Sequence, residues 1–309
     1  MKKIKILLVG SGNIAKQHHK AFSFFPQFKF VGAVARNKKK LSNFANELNI
    51  PFFSNNLKKA HIKTNPDLVI VAVSIINTYK ICLKLAKFKS VLFVEKPLGH
   101  NYFETKKLIN LFNKKNKKVF VALNRRHYET TRKLQKIILK KKIKRTIIIN
   151  DQENLVDQKK NNFPQKVIDN FMYANSIHLI DYFNIFCRGK LKNIKTFNSF
   201  NKKPYFVQSI LNFSSGDTGI YSAIYNNQSP WYVSVFIGKK IYILKPLEKL
   251  TSNLKLTKKS INFSDDKNFK PGFKLQAKEV LNFFKKSSYN LPDHREYFKS
   301  VELIKKIYK

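Results

Sequence analysis

Acidic side chains are scarce in this chain of 309 residues: 18 Asp and Glu stand against 61 Lys and Arg, for a formal net charge of +43. Such a surface draws anionic ligands from a distance. Cysteine is scarce as well. Cys82 and Cys187 lie far apart in apolar helical context. They form neither a disulfide framework nor a metal-ligand spacing, which fits a reducing cytoplasm. No apolar stretch reaches the length of a membrane span, so membrane insertion is not expected. The start "MKKIKILLVGSG" breaks into a glycine loop where a signal peptide would carry small residues for cleavage. No P-loop, zinc-ligand spacing or serine nucleophile with partners is found, and His18 and His19 read as structural. The positive charge does not gather into a nucleic-acid surface. Short lysine runs occur at Lys38–Lys40, Lys114–Lys118 and Lys140–Lys142, read as solvated faces, and no base-reading motif accompanies them. Abundant Asn, Ile, Phe and Tyr, encoded like Lys by A and T, trace much of the excess to biased composition.

Hydrophobic residues make up 43% of the chain, enough for a folded protein with two domains at this length. Up to Ala122, apolar strands alternate with helices. Strands are expected at Lys3–Val9, Phe28–Ala35, Leu68–Val73, Val91–Val94 and Val119–Ala122. Helices are expected at Ala15–Phe24, Lys38–Leu48, Thr78–Lys87 and Tyr102–Asn113, the second with Leu41, Phe44, Ala45 and Leu48 on one face. Strands buried on both faces with helices between them predict a doubly wound parallel sheet for residues 1–122. From 123 to 309 the texture is different. Ile194–Phe200, Tyr205–Phe213, Gly219–Tyr225, Trp231–Phe236 and Ile241–Leu244 read as an antiparallel meander with one face packed and one free. Helices at Gly272–Phe284 and Tyr297–Ile307 close the chain. The fold class is α/β, a Rossmann sheet followed by an α/β domain with a large, mostly antiparallel open sheet.

"VGSGNIA" stands at the first strand-to-helix turn. Gly10, Gly12 and Ala15 fill the three positions of a dinucleotide fingerprint: a tight turn, an open approach for pyrophosphate, and close helix–strand packing. The amides at the N-terminus of the helix that follows favour phosphate, and Asn13 and Ile14 of the connecting turn join the expected cofactor residues. The loop after the second strand, "ARNKKK", has no carboxylate for a ribose hydroxyl. Arg36 instead suits a 2′-phosphate, so NADP is expected over NAD. "VLFVEKPLG" carries Glu95 and Lys96 to the carboxyl end of a buried strand, where open α/β sheets bind ligands.

"GSGNIA", "EKPLG" and "NSIHLIDYF", in this order, resemble the Gfo/Idh/MocA oxidoreductases, the glucose–fructose oxidoreductase and inositol dehydrogenase family. The resemblance extends to the final "GFKLQAKEVLNFF". It implies a Rossmann domain, a second domain whose open sheet serves oligomerisation, and an active-site lysine at Lys96 that contacts the reacting hydroxyl. It also implies a motif Asp-x-x-x-His-x-x-Asp. Here His178 and Asp181 fit that motif, but Ala174 holds its first acidic place. His178, which on its own would read as a structural histidine, thereby becomes a catalytic candidate beside Lys96. Asp181, one helical turn on, orients or packs.

The expected cofactor set is Gly10, Gly12, Asn13, Ile14, Arg36, Ser74, Glu95 and Lys96. The expected substrate set is Asn124, Arg125, Asn175 and Asp181. In "NRRHY", Arg125 or Arg126 grips an anion or joins an ion pair between domains. The expected protein is a cytoplasmic, homo-oligomeric oxidoreductase. It would act on a sugar or nucleotide sugar, as in surface-polysaccharide synthesis. A polyol dehydrogenase, an inactive binding relative and a nucleic-acid binder are the alternatives.

Overall fold

The computed structural model describes residues 3–139, 141–198, 205–226, 229–252 and 267–309. Lys140 and Phe200, both part of sequence expectations, lie outside the described residues. The chain divides into two compact units, Met1–Asn124 with Asp265–Phe298, and Arg125–Ser264 with Lys299–Lys309. A single division at 122/123 was the sequence expectation; the chain instead returns to its first unit after the second. Each unit has its own sheet.

The first unit is built on strands β1 (Ile4–Val9), β2 (Phe28–Val34), β3 (Phe53–Ser54), β4 (Leu68–Val71), β5 (Val91–Glu95) and β6 (Val119–Ala122). They lie in the order β3-β2-β1-β4-β5-β6, all parallel. The order reverses between β1 and β4, which makes their carboxyl ends the switch point of a doubly wound sheet. Connecting helices are α1 (Asn13–Ser23), α2 (Lys38–Glu47), α3 (Leu57–Thr64), α4 (Ile75–Leu85) and α5 (Tyr102–Lys114). The α2 face expected from periodicity buries Leu41, Phe44 and Ala45, with Leu48 half-buried. Short of carboxylates, the chain caps helices with asparagine. Asn37, Asn56 and Asn101 accept the backbone N–H groups of Lys40, Lys59 and Glu104 at 2.9–3.0 Å, each cap contributing about 1 kcal/mol.

The run Lys114–Lys118 is not wholly a solvated face. Lys117 is buried and donates to the carbonyls of Phe88 and Ser90, and burial pulls its ammonium down to about 8. The apolar face of α1 is covered by α11 (Phe273–Phe284), with His18 stacked on Phe273 at 4.5 Å.

The second unit holds a seven-stranded sheet: β7 (Arg145–Glu153), β8 (Leu191–Asn198), β9 (Phe206–Phe213), β10 (Thr218–Tyr225), β11 (Tyr232–Ile237), β12 (Lys240–Leu244) and β13 (Leu250–Ser252). Its order, β13-β12-β11-β7-β10-β9-β8, corrects the expectation of one continuous meander. β7 enters between β10 and β11, parallel to β10 and antiparallel to β11. Alternate residues of β9 and β10 are buried, as a sheet with one packed face requires. The helices of this unit include α6 (Glu129–Leu139), α7 (Leu155–Lys160), α8 (Gln165–Ile168), α9 (Phe171–Ala174) and α10 (Ile177–Phe186). The last helix, α12 (His294–Ile307), contains the division between the units.

The turn "SSGD" between β9 and β10 ends in Asp217, which is buried and accepts from the backbones of Arg145 and Arg188 and from the Arg188 guanidinium at 2.6–3.0 Å. Burial alone would raise its carboxyl; the Arg188 and Arg145 hydrogen bonds outweigh that and hold it below the usual range. A depressed acid stabilises the fold above its ordinary value, and this contribution disappears as pH falls through the lower native value. Asp217→Asn should cost about 3 kcal/mol at neutral pH, the scale for breaking a buried pair. Thermal unfolding from pH 7 down to acid should show the gap between wild type and variant closing below about pH 4.

Candidate active site

At the switch point of the first unit, Gly10 adopts φ +120°, and a Cβ there would lie 2.0 Å from the Ala72 carbonyl oxygen. Only glycine lets β1 turn this close to the end of β4. At Gly12, the N-cap of α1, an added Cβ meets no protein atom within 4 Å, and no side chain caps the helix. The first amides of α1 are thus left for an anion, with room for a pyrophosphate against the backbone. Asn13 and Ile14 form the first turn, Asn13 exposed and Ile14 packed against the core.

From this turn a cavity of about 980 Å³ runs along the carboxyl ends of β1, β2 and β4. Gly10, Gly12, Arg36 and Ser74 line it together, and Ser74 accepts from Asn77 Nδ2 at 2.6 Å. Its cations are Arg36, Lys40, Lys58, Lys80, Lys84 and Lys87, and no carboxylate is present among its lining residues. Sequence reading had only Arg36 of these. The spacing of Lys80, Lys84 and Lys87, four and three residues apart along α4 and the following turn, marks one helical face and could have revealed them.

β5 ends on Glu95, whose Oε1 lies 2.7 Å from Nε2 of the buried His18. The structural histidine of α1 thereby fixes the residue before half-buried Lys96. The peptide Lys96–Pro97 is cis. Beyond it the Leu98 N–H donates to Tyr297 Oη at 3.3 Å, and a Cβ on Gly99 would press within 2.5 Å of Glu104 Cβ. Asn124 is buried and donates to the Pro271 carbonyl at 3.1 Å.

In the second unit His178 is the second residue of α10 and is buried, as is Ala174 on α9. Asp181 has its carboxylate engaged: Arg126 forks onto it at 2.6 and 2.7 Å and Ser300 Oγ donates at 2.6 Å. Of the two arginines, Arg126 therefore forms an ion pair, within one unit. The Arg125 guanidinium lies over the Trp231 ring at 4.7 Å. Asn175 donates to Glu153 Oε2 at 3.1 Å and Ser176 Oγ to Glu153 Oε1 at 2.5 Å. Sequence reading overlooked Glu153 and its neighbour Asp151, a pair at strand spacing on the buried face of β7. Burial raises the Asp151 carboxyl despite a hydrogen bond from Tyr221. Among the described residues no group of three His, Cys, Asp or Glu is placed to hold a metal ion, and no helix is long and apolar enough to cross a membrane.

Residues 4–123 match the model of the Gfo/Idh/MocA oxidoreductase family, NAD-binding Rossmann fold. No curated relative matches the sequence. Among solved structures, the chain is similar to the WlbA dehydrogenase from Bordetella pertussis, in complex with NADH and UDP-GlcNAcA. That match has 15% identity and TM-score 0.80, over 99% of this chain and 95% of the other. The dehydrogenase MviM from Clostridium difficile matches at 21% identity and TM-score 0.78, over 99% of both chains. UDP-N-acetylglucosamine 3-dehydrogenase GnnA from Acidithiobacillus ferrooxidans matches at 10% and 0.77, over 100% and 97%. At these identities the likeness is one of fold.

The contrast between the two glycines is testable. Gly12→Ala should leave the melting temperature of the protein unchanged and weaken dinucleotide binding by about tenfold or more, about 1.4 kcal/mol. Gly10→Ala should destabilise the protein itself, by the strain of its φ and the clash with Ala72. Calorimetry with and without cofactor separates the two effects.

Proposed function

We propose that the chain, whose residues 4–123 match the Gfo/Idh/MocA oxidoreductase model, is an NAD-binding oxidoreductase of that type and uses NADP on a sugar or nucleotide sugar. The six cations of the carboxylate-free cavity carry the cofactor reading. An additional phosphate is favoured there by Arg36, and nothing in the lining repels it. The bound dinucleotide supplies or accepts the hydride at a carbon bearing a hydroxyl or carbonyl oxygen. Gly10, Gly12, Asn13, Ile14 and Ser74 hold it, with Arg36 at the adenosine end and Glu95 beside Lys96.

His178 takes the hydroxyl proton in the oxidising direction and returns it to the carbonyl in the reducing one, a task suited to imidazole. The Lys96 ammonium stabilises the oxygen as negative charge develops. Asn124, Arg125 and Asn175 orient the substrate, and Asp181 acts through Arg126 and Ser300. In this reading the first unit serves the dinucleotide and the second the substrate. An anionic substrate suits the +43 charge, and the nucleotide-sugar ligand and substrate named for two structural neighbours support the same class. Surface-polysaccharide synthesis in the cytoplasm is the proposed setting.

The open face of the second sheet carries Ile210, Ile220 and Ile148 side by side across β9, β10 and β7. We assign this row to a contact between copies of the chain, to be read from the sedimentation mass of Ile148→Lys against wild type. A second reading, a relative that binds without turnover, is favoured by Ala174 at the acidic place of the motif.

The decisive experiment follows nicotinamide absorbance over a panel of nucleotide sugars, free sugars and polyols. NADPH should bind more tightly than NADH, and Arg36→Asp should narrow the difference by about tenfold. On the substrate found, Lys96→Ala should lower turnover by about a hundredfold or more with cofactor affinity nearly intact. Wild-type turnover in that variant would remove Lys96 from the chemistry.

A further inference from the structure

Helix α10 is held at both ends by one strand. At its carboxyl end, Arg145 of β7 donates from Nη1 to the Phe186 carbonyl at 2.7 Å, while Nη2 reaches the Ile138 carbonyl, also at 2.7 Å. At its amino end stands Glu153, eight residues along the same strand and on the same buried face. Cation at the carboxyl end and carboxylate at the amino end match the helix dipole. Ser176 is the N-cap residue, yet its hydroxyl makes no cap to its own helix and donates to Glu153 Oε1 at 2.5 Å. Asn175 donates to the other oxygen at 3.1 Å. The carboxylate is nearly inaccessible to solvent, at 1% exposure, in a chain that has few acids.

His178 is two residues beyond Ser176, in the first turn of this helix. An imidazole there feels the positive end of the dipole, which disfavours its proton. A buried carboxylate at the same end acts in the opposite sense, and low polarity strengthens it. We propose that Glu153 is the positioning residue of the site: through Ser176 and Asn175 it fixes the first turn of α10, and its charge keeps His178 able to carry a proton near neutral pH. The inference rests on the reading of His178 as proton carrier. Glu153 thereby stands in for the carboxylate that Ala174 lacks.

Other groups around this end contribute. Asp151 and Tyr221 are linked at 2.8 Å, Tyr221 and Tyr308 at 2.7 Å, and Tyr308 reaches Ser176 Oγ at 3.4 Å. Burial raises all three phenols of Tyr221, Tyr225 and Tyr308 above their ordinary value, so they remain neutral donors across the working pH range. Arg125 adds positive potential at Asp151. On α10 itself Asp181 is matched by Arg126. Tyr173 is the titratable group of α9, and α6, packed on α10, carries Glu129, Arg132, Lys133 and Lys136. Asp151 and Tyr308 also reach Ser176; Glu153 is distinguished from these by accepting from both Asn175 and Ser176, the two residues that open the helix.

The test is an NMR titration of imidazole carbons in the full-length protein, with His178 assigned among seven histidines by His178→Gln. Glu153→Gln keeps the shape and removes the charge; it should lower the His178 midpoint by about half a unit to one unit. On an active substrate, the acid limb of the oxidising pH profile should move down with it. Glu153→Asp, and the double variant Glu153→Gln with Ala174→Asp, should return the midpoint towards wild type. Should Glu153→Gln not fold, the midpoint in Glu153→Asp, which keeps the charge, against that in Glu153→Ala, which removes it, carries the same comparison, Glu153→Ala being the lower. A folded Glu153→Gln with an unchanged His178 midpoint overturns the proposal. A shifted midpoint with full turnover in His178→Ala supports the coupling and removes His178 as proton carrier, so the two failures are distinct.

Discussion

The first unit depends on a backbone approach that no side chain could share. At Gly10, β1 turns so near the end of β4 that a single methyl group would occupy the space of the Ala72 carbonyl. That approach puts the start of α1 over the switch point of the sheet, and the free amides behind Gly12 follow from it. The cavity is then bounded by whatever follows β2 and β4, which here means Arg36, Lys40 and the lysines of α4. Backbone geometry provides the proposed phosphate seat, and composition provides its sign. In a chain with this lysine excess, the informative feature is the missing carboxylate in the cavity and not any one cation.

The second unit answers a related constraint with charge. Burying a carboxylate is costly unless its oxygens are satisfied. Glu153 accepts from Asn175 and Ser176, Asp217 from Arg145 and Arg188, and Asp181 from Arg126 and Ser300. Asp217 holds a turn through backbone N–H groups, Glu153 stands at the start of α10, and Asp181, within α10, ties that helix to Arg126 and Ser300. β7 supplies both ends of α10, and so the segment that carries His178 is set by one strand. Exposed helix starts are instead capped by asparagine, which accepts the same backbone hydrogen without the burden of charge.

Five of the six Rossmann strands were legible in the sequence because they are mostly buried and read as apolar runs, Val119–Ala122 being the same in both readings; the two-residue edge strand β3, with Phe53 exposed, has no such run and was not. Gly10, Gly12 and the position of Lys96 after β5 were legible for the same reason, since they follow directly from where those strands end. β7 was not. Its inward face carries Arg145, Asp151 and Glu153, so the alternation that marks a half-buried strand is replaced by charge at both ends. Arg126 and Asp181 are 55 residues apart, and no periodicity links them. Lys117 was hidden in a run of exposed lysines, because carbonyls of a distant loop are its partners. The return of the chain to the first unit was illegible for a similar reason: α11 is an ordinary amphipathic helix, and only its contact with α1 assigns it.

The central claim is that the cation-lined cavity and the Lys96 strand end serve hydride exchange with a sugar carbon. Deuterium at the reactive nicotinamide carbon of NADPH offers the most direct measurement, with mass spectrometry of products from a pool of keto sugars and keto nucleotide sugars. The account predicts one deuterium on a single sugar carbon and a higher yield with labelled NADPH than with labelled NADH. Tight cofactor binding with no deuterium in any sugar of the pool would contradict it.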